Sequence, residues 1–483
     1  DNLNPPNWAA STAYSVGNIV KPTTATGYWY KCTTAGTSGT TEPTWPTQRG
    51  QTVSDNTVVW TCISSEEPIN TIYDYYKIIS GGVERYLIVE WNGDFYKYDF
   101  STNSFVKLYS RSTIESKKAT WITYQNLAIR FAEGETPLKF DGTSFSNLGG
   151  NPPRAGLAVV YKDRIYAAGA SPNYSTVYFS DISNPEAWNP NSQFDVNAND
   201  GDRINTLAVL GDSLLIFKEN SIWEIQVDQQ NIISFKRLFA QAVGTTSARS
   251  LINISNILYF FDRNGVWAIY QKYPELISTK VNPFIWAIQD PYSVVGWAWK
   301  NKLYLYVGNI QIDGRVFPNV VLVYDTQYNQ WIFRTFANPV LSTVSFSKED
   351  KTKSLYFSSL KGEIFEFDKG YLHGEEAIEV EYEVPILQPE DPTKRKLFKE
   401  ILVRLKDSAK AKPSISVSID SRDWIDLGEV DEIYKTFPIS TRLGREEGKD
   451  LRIRIHEISP YEMNEIIQIC IDWLPLKAVT TQK

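Results

Sequence analysis

The chain has 483 residues, 42% hydrophobic and 22% charged, a balance that suits globular domains and excludes extended disorder. Its formal charge of −7 works against stable binding to nucleic acid, because an acidic surface gains nothing from counterion release. No apolar run approaches the ~18 residues that a membrane-spanning helix needs, so no membrane span is expected.

Length alone suggests about three domains. The sequence opens on Asp1, which reads as a fragment, a processed chain or a renumbered one, and no signal peptide is visible. Histidine is scarce: His456 ends the alternating run Leu451-Arg-Ile-Arg-Ile-His456, and His373 stands in a loop beside Gly374. A Ser-His-Asp triad or a His-based zinc site would have to draw on those two residues. Neither is assigned a catalytic role, and no cofactor or metal is expected. Aromatic residues make up 14%, helical periodicity is nearly absent, and short alternating apolar runs are separated by Gly, Asn, Asp and Pro. That pattern predicts an all-β protein.

Residues 1–67 form a first region, rich in Thr, Ser and Gly. The string Trp8-Ala-Ala-Ser-Thr-Ala-Tyr14-Ser-Val-Gly17-Asn-Ile-Val20 leads to Gly27-Tyr-Trp-Tyr-Lys-Cys32. Thr34-Ala-Gly-Thr-Ser-Gly39, Pro43-Thr-Trp-Pro46 and Val58-Val-Trp-Thr-Cys62 follow. Together these resemble the small chitin-binding-type carbohydrate-binding modules, and more closely the related modules of phage tail proteins. In so small a domain some tryptophans must be core, and Trp8 and Trp60 are assigned there. Tyr28, Trp29 and Trp45 are the candidates for an exposed surface that stacks on a glycan. Cys32 and Cys62 fit neighbouring strands, either bridged as a disulfide or reduced and buried. The polar linker Ser64-Ser-Glu-Glu-Pro68 predicts a module that protrudes and touches a surface glycan or another tail protein; the bland alternative is a spacer packed on its own chain.

Residues 68–375 carry a repeat. A polar turn followed by a strand opening with Leu or Ile recurs, as in Tyr124-Gln-Asn-Leu-Ala-Ile-Arg130, Ser255-Asn-Ile-Leu-Tyr-Phe-Phe261 and Lys300-Asn-Lys-Leu-Tyr-Leu-Tyr306. The aligned positions are Leu87, Leu127, Ile165, Leu214, Leu258, Leu303 and Leu355, spaced by 40, 38, 49, 44, 45 and 52 residues. Flanking strands bring each unit to four, which predicts a β-propeller of about seven blades. Six or eight blades also fit, since the Ile165 and Leu303 units hold long insertions, and a series of β-sandwiches is the competing fold.

Residues 376–483 contain five alternating runs, among them Ile378-Glu-Val-Glu-Tyr-Glu-Val384 and Ile466-Ile-Gln-Ile-Cys-Ile471, and predict a C-terminal β-sandwich with Cys470 in its core. Ser418-Ile-Asp-Ser-Arg-Asp-Trp424 is assigned to a hairpin. Residues 363–391 hold ten acids against one base, and 394–412 hold eight bases against two acids. Blocks of opposite sign usually form solvated strand faces but also suit a subunit contact.

Tyr178-Phe-Ser-Asp-Ile-Ser-Asn-Pro-Glu-Ala-Trp188, Asp200-Gly-Asp-Arg-Ile204 and Gly211-Asp-Ser-Leu-Leu-Ile-Phe-Lys-Glu-Asn-Ser-Ile-Trp-Glu-Ile225 occur in that order. This region resembles the tail nozzle (hub) propellers of short-tailed phages, of the tail tubular protein B type. The resemblance implies a virion protein: a homohexameric ring beside the tail adaptor and other tail proteins, through which DNA passes transiently. An acidic lumen would repel phosphates, and only charges within about 10 Å of it matter at 0.1 M salt. The resemblance contains no catalytic motif, so no enzyme activity is expected. The competing function is a lectin or glycosidase acting on cell-surface glycans. Glycosidases need a pair of carboxylates, and 56 acids leave room for one.

Overall fold

The computed structural model describes residues 5–64, 66–198, 200–228, 233–270, 273–348, 352–370, 372–373, 376–387, 394–406, 412–439, 447–459 and 466–476. Among them the chain is all-β, with Asn282–Trp286 its only α-helix. It divides into two compact units, Asp1–Phe367 and Asp368–Lys483.

The first unit opens with a four-stranded sheet, ordered Ile19–Val20, Trp29–Thr34, Val58–Ile63 and Thr52–Asp55. Its core is Val20, Tyr30, Cys32, Val58, Trp60 and Cys62, closed by Trp8. The indole N–H groups of Trp8 and Trp60 both donate to one oxygen of the buried Asp55, at 2.8 and 3.0 Å. Both tryptophans are therefore core, and Asp55 exists to satisfy their only polar atoms.

Seven further sheets follow in chain order among the described residues. The first joins Thr71–Ile79, Gly82–Trp91, Asp94–Asp99 and Ser104–Tyr109. The next five begin with Thr120–Tyr124, Leu157–Tyr161, Ile204–Leu210, Ile252–Ile254 and Val295–Trp299, each with four consecutive antiparallel strands. The seventh has three, Ser342–Ser347, Lys353–Ser358 and Ile364–Phe367. Leu87, Leu127, Ile165, Leu214, Leu258, Leu303 and Leu355 each fall on the second strand of one sheet. The polar dipeptides before several of them are tight turns with both residues at positive φ: Gln125-Asn126, Lys162-Asp163, Ser255-Asn256 and Lys300-Asn301. Turns of that form match strand twist, which is why the turn and the following Leu recur together.

The sheets stack face to face, so their middle strands lose the simple alternation of a half-exposed strand. Every residue of Ser213–Lys218 is buried. The first strands lie side by side: Thr71–Ile79 touches both Thr120–Tyr124 and Ser342–Ser347. Ile72, Leu87 and Val89 of the first sheet share one core with Phe346 and Tyr356 of the seventh. Ser358 donates to the Ile69 carbonyl at 2.7 Å, and the Ile72 N–H donates to Ser342 at 3.3 Å.

The second unit holds two sheets around one core. One is ordered Leu372–His373, Glu376–Leu387, Leu451–Ser459, Ser414–Ile419 and Ile425–Glu429. The other centres on Lys396–Leu405, flanked by Tyr434–Pro438 and Ile466–Pro475. Phe398, Ile401, Val403 and Phe437 of the second meet Ile415, Val417, Ile453 and Ile455 of the first. Val417 pairs with Ile425 across the Ser418–Trp424 hairpin. Cys470 is not core. It alternates with the half-buried Ile469 and Ile471 on Ile466–Pro475, so its side chain takes the opposite, exposed face.

The opposite charge blocks are used within this unit. Arg454 pairs with Glu383 at 2.6 Å, His456 with Glu379 at 2.7 Å, and Lys399 with Asp472 at 3.3 Å. Residues 374–375, 388–393 and 407–411, which carry part of those blocks, lie outside the described residues.

Candidate functional site

Alternation along Trp29–Thr34 decides the fate of the aromatic candidates. Tyr30 and Cys32 face the module core, while Trp29 and Lys31 face the first of the seven sheets. Trp29 packs edge-on against Trp91 of that sheet, with ring centroids 6.4 Å apart. Trp45 instead lies on Tyr30 at 4.1 Å and gives its indole N–H to Glu42. Tyr28 packs against the same module core as Trp45. Trp29 thus stands apart from the other two, and the three do not form one stacking surface. Cys32 and Cys62 are buried free thiols on paired strands. Cys32 lies opposite Trp60 and Cys62 opposite Tyr30, so the sulfurs are diagonal neighbours. Burial pushes the Cys32 thiol up to about 11 and raises that of Cys62, which keeps both uncharged at neutral pH.

The module does not stand apart from the body. The Lys31 ammonium, wholly buried, donates to Asp94 at 2.6 Å, to the Asn92 carbonyl at 2.6 Å and to the Thr113 carbonyl at 2.9 Å. Asp94 is equally buried and also receives Lys107 and the Arg111 N–H. Burial pulls Lys31 below its usual range, against the attraction of Asp94. Asn92-Gly93 forms the turn beneath this cluster. Gly93 sits at φ +76, and a Cβ there would lie 2.3 Å from the Thr113 carbonyl oxygen. Only glycine lets segment 110–116 close over the lysine.

A second buried cluster continues from it. Glu90 receives two parallel bonds from Arg130, both 2.9 Å, and one from Arg111 at 2.9 Å. Glu135 receives Arg130 at 2.7 Å and Arg111 at 2.9 Å. For Glu135 burial acts upward, but the two guanidiniums hold its carboxyl below the usual range. Both guanidiniums lie over Phe95, at 5.6 and 5.3 Å.

A cleft of 870 Å³ lies where the third sheet meets the fourth and is lined by Tyr174, Asp195, Asp200, Asp202 and Glu219 among others. Its carboxylates are engaged. Asp195 receives Thr176, Asp202 receives the backbone N–H groups of Glu219 and Asn220, and Glu219 receives Tyr292. Asp200 grips the wholly buried Lys218 ammonium at 2.6 and 2.7 Å, and the carbonyls of Val196 and Asn197 complete an oxygen cage. The lysine fills the position that a cation would take. Burial would raise Asp200, yet Lys218 and the Asp202 N–H hold it below its usual value. Lys218→Met should cost about 3 kcal/mol in denaturant unfolding, because it strips a caged carboxylate of its cation. A folded-state value below the unfolded one means that the pair stabilises above about pH 4 and that this share is lost as pH falls through the folded value. The methionine variant should lack that share of the acid loss.

A third cationic group lies among the first strands of the sheets. Arg249, from the segment before the fifth sheet, reaches across to donate to the carbonyls of Leu341, before the seventh sheet, and Asn70, before the first, the latter at 2.7 Å. Lys31 and Lys218 fall inside the strings Gly27–Cys32 and Gly211–Ile225 and Arg249 in none, but nothing in those strings marks either lysine as a buried cation. Among the described residues no group of three or more His, Cys, Asp or Glu side chains is arranged to hold a metal ion.

No protein-family model matches the chain, and no curated protein does. Among solved structures it is similar to PorZ, a surface component of the type-IX secretion system of Porphyromonas gingivalis, at 10% identity and a TM-score of 0.38 over 80% of this chain and 48% of that one. It is similar to the extracellular domain of the one-component system BT4673 of B. thetaiotaomicron at 11% identity and a TM-score of 0.34, over 76% of this chain and 52% of that one. The exo-β-1,3-galactanase of Phanerochaete chrysosporium follows at 10% identity and 0.26, over 82% of this chain and 100% of that one. The chain spans about half the length of the first two.

Proposed function

We propose that the seven sheets are the blades of one closed β-propeller, that the second unit is a β-sandwich, and that the chain is a structural protein of a phage tail. In this reading six copies form a nozzle or hub ring. The ring sits in the virion beside the tail adaptor, carries other tail or receptor-binding parts, and lets DNA pass. The local strings Tyr178–Trp188, Asp200–Ile204 and Gly211–Ile225 support it, and they fall together at the junction of the third and fourth sheets. The observation that carries the reading is the amount of open strand edge and bare apolar side chain. Ile466–Pro475 is a long outer strand of the second unit, and Glu376–Leu387 is covered on its outer edge only at its start, by Leu372–His373; Tyr382 is 55% and Ile467 51% exposed. In the first unit the hairpin tip bearing Ile78 and Val83 and the outer strand Gln330–Thr335 bearing Ile332 are likewise bare. Such edges and patches mark sites of assembly.

Mass photometry and negative-stain imaging of the purified chain test this. A ring of six with a central hole is expected, and Ile332→Lys or Ile467→Lys should break it into smaller species. A persistent monomer across micromolar concentrations would refute the assembly. The reading assigns no hydrolysis. Sugar release from envelope polysaccharide, abolished by one Asp or Glu substitution, would overturn that part.

A further inference from the structure

We propose that the mouth of the ring of first strands binds a small oxyanion, a phosphate or the carboxylate of an acidic sugar, held between Arg249 and Lys118.

The argument begins with an unneutralised charge. The Arg249 guanidinium offers five N–H donors, and its two recorded bonds go to the carbonyls of Leu341 and Asn70. Among the described residues no carboxylate pairs with it. Deeply surrounded cations normally have a counter-ion, since carbonyl dipoles offset only part of the desolvation. Burial alone pulls Arg249 down to about 10, which still leaves it fully charged at neutral pH. The side chain nonetheless keeps part of its surface open to solvent.

Lys118 supplies the second cation, and the backbone fixes it nearby. Arg249 bonds the Asn70 carbonyl, the Asn70 amide donates to the Ser116 carbonyl at 2.7 Å, and Lys118 lies two residues further on, at the start of the second sheet. Its neighbour Lys117 turns away to Glu133 and Glu135. Lys118 is exposed and makes no hydrogen bond or ion pair among the described residues. Partial desolvation by the surrounding chain and the charge of Arg249 lower it, and Asp290 is the carboxylate that acts in the other direction. Asp290 already accepts the Tyr292 N–H. Two cations that repel one another and share no carboxylate are stabilised by an anion between them. A guanidinium with spare parallel donors suits the planar or tetrahedral oxygens of carboxylate and phosphate.

The test is calorimetric titration of the full chain with inorganic phosphate and, separately, galacturonate, each at matched ionic strength in chloride. One saturable site per chain is expected for at least one of the two, and which one distinguishes a free phosphate from an acidic sugar. Lys118→Ala, at an exposed position that leaves the fold intact, should weaken binding roughly tenfold, the effect of one lost charge contact. Arg249→Gln should abolish it. If Arg249→Gln fails to fold, Lys118→Ala decides alone. Absence of saturable binding for both probes, or binding that is unchanged in Lys118→Ala, overturns the proposal.

Discussion

Lys31→Met should lower the stability of the first unit by about 3–5 kcal/mol and loosen the module from the first sheet. The substitution keeps the aliphatic stem and removes the only wholly buried cation facing Asp94. Asp94 retains Lys107 and the Arg111 N–H, but Lys107 is partly exposed and cannot replace an ammonium inside the seam. Breaking a buried pair from one side is costly because it leaves the other charge desolvated and uncompensated. Denaturant unfolding reads the loss, and limited proteolysis around 64–68 reads the loosening. The double variant Lys31→Met/Asp94→Leu should recover part of the loss, since removing both charges relieves the stranded carboxylate. A single variant as stable as the parent would mean that the module docks through its other contacts, among them Ile19, Trp29 and Ile63.

Arg130→Met should be as damaging, again by about 3–5 kcal/mol. It removes both parallel bonds to Glu90 and one to Glu135, and Arg111 is then the one guanidinium left to both carboxylates. Arg130→Lys should not rescue it, because a lysine offers a point charge and not the flat fork that meets two oxygens at once. Glu90→Gln in the Arg130→Met background should restore stability. Failure of that rescue would place the cost in lost packing over Phe95 and not in charge.

The repeat was legible because second strands such as Ser213–Lys218 are buried on both faces and several of them follow a tight turn, so burial and turn chemistry stamp a similar phrase on successive units. The two flanking regions were less so. Aromatic density in residues 1–67 suggested an exposed stacking surface, but the small module rests on a neighbour, and Trp29 belongs to a core completed by Trp91. Lys31 and Asp94 are 63 residues apart, and nothing local to either signals the other. Cys470 looked internal because its strand alternates. Which parity faces inward depends on the partner strand, and that partner, Lys396–Leu405, is distant in sequence. The charge blocks suggested a subunit contact, but the described pairs join each block to other strands of the second unit, as Glu383 to Arg454 and Lys399 to Asp472.

Among the described residues, every sheet of the first unit after the module is woven from consecutive strands, with none borrowed from elsewhere in the chain. Each can therefore form as it leaves the ribosome, before the next exists. What must wait is the junction of the first and seventh, where Ile72 and Ser342 meet across 270 residues. Until then the apolar flank of Ile72, Leu87 and Val89 lacks Phe346 and Tyr356. The N-terminal module is made first, and Ile19, Trp29 and Ile63 already lie against that same cluster. It can thus shelter the nascent sheet during synthesis, so that a chain shortened at its N-terminus would be most prone to aggregate while it is being made.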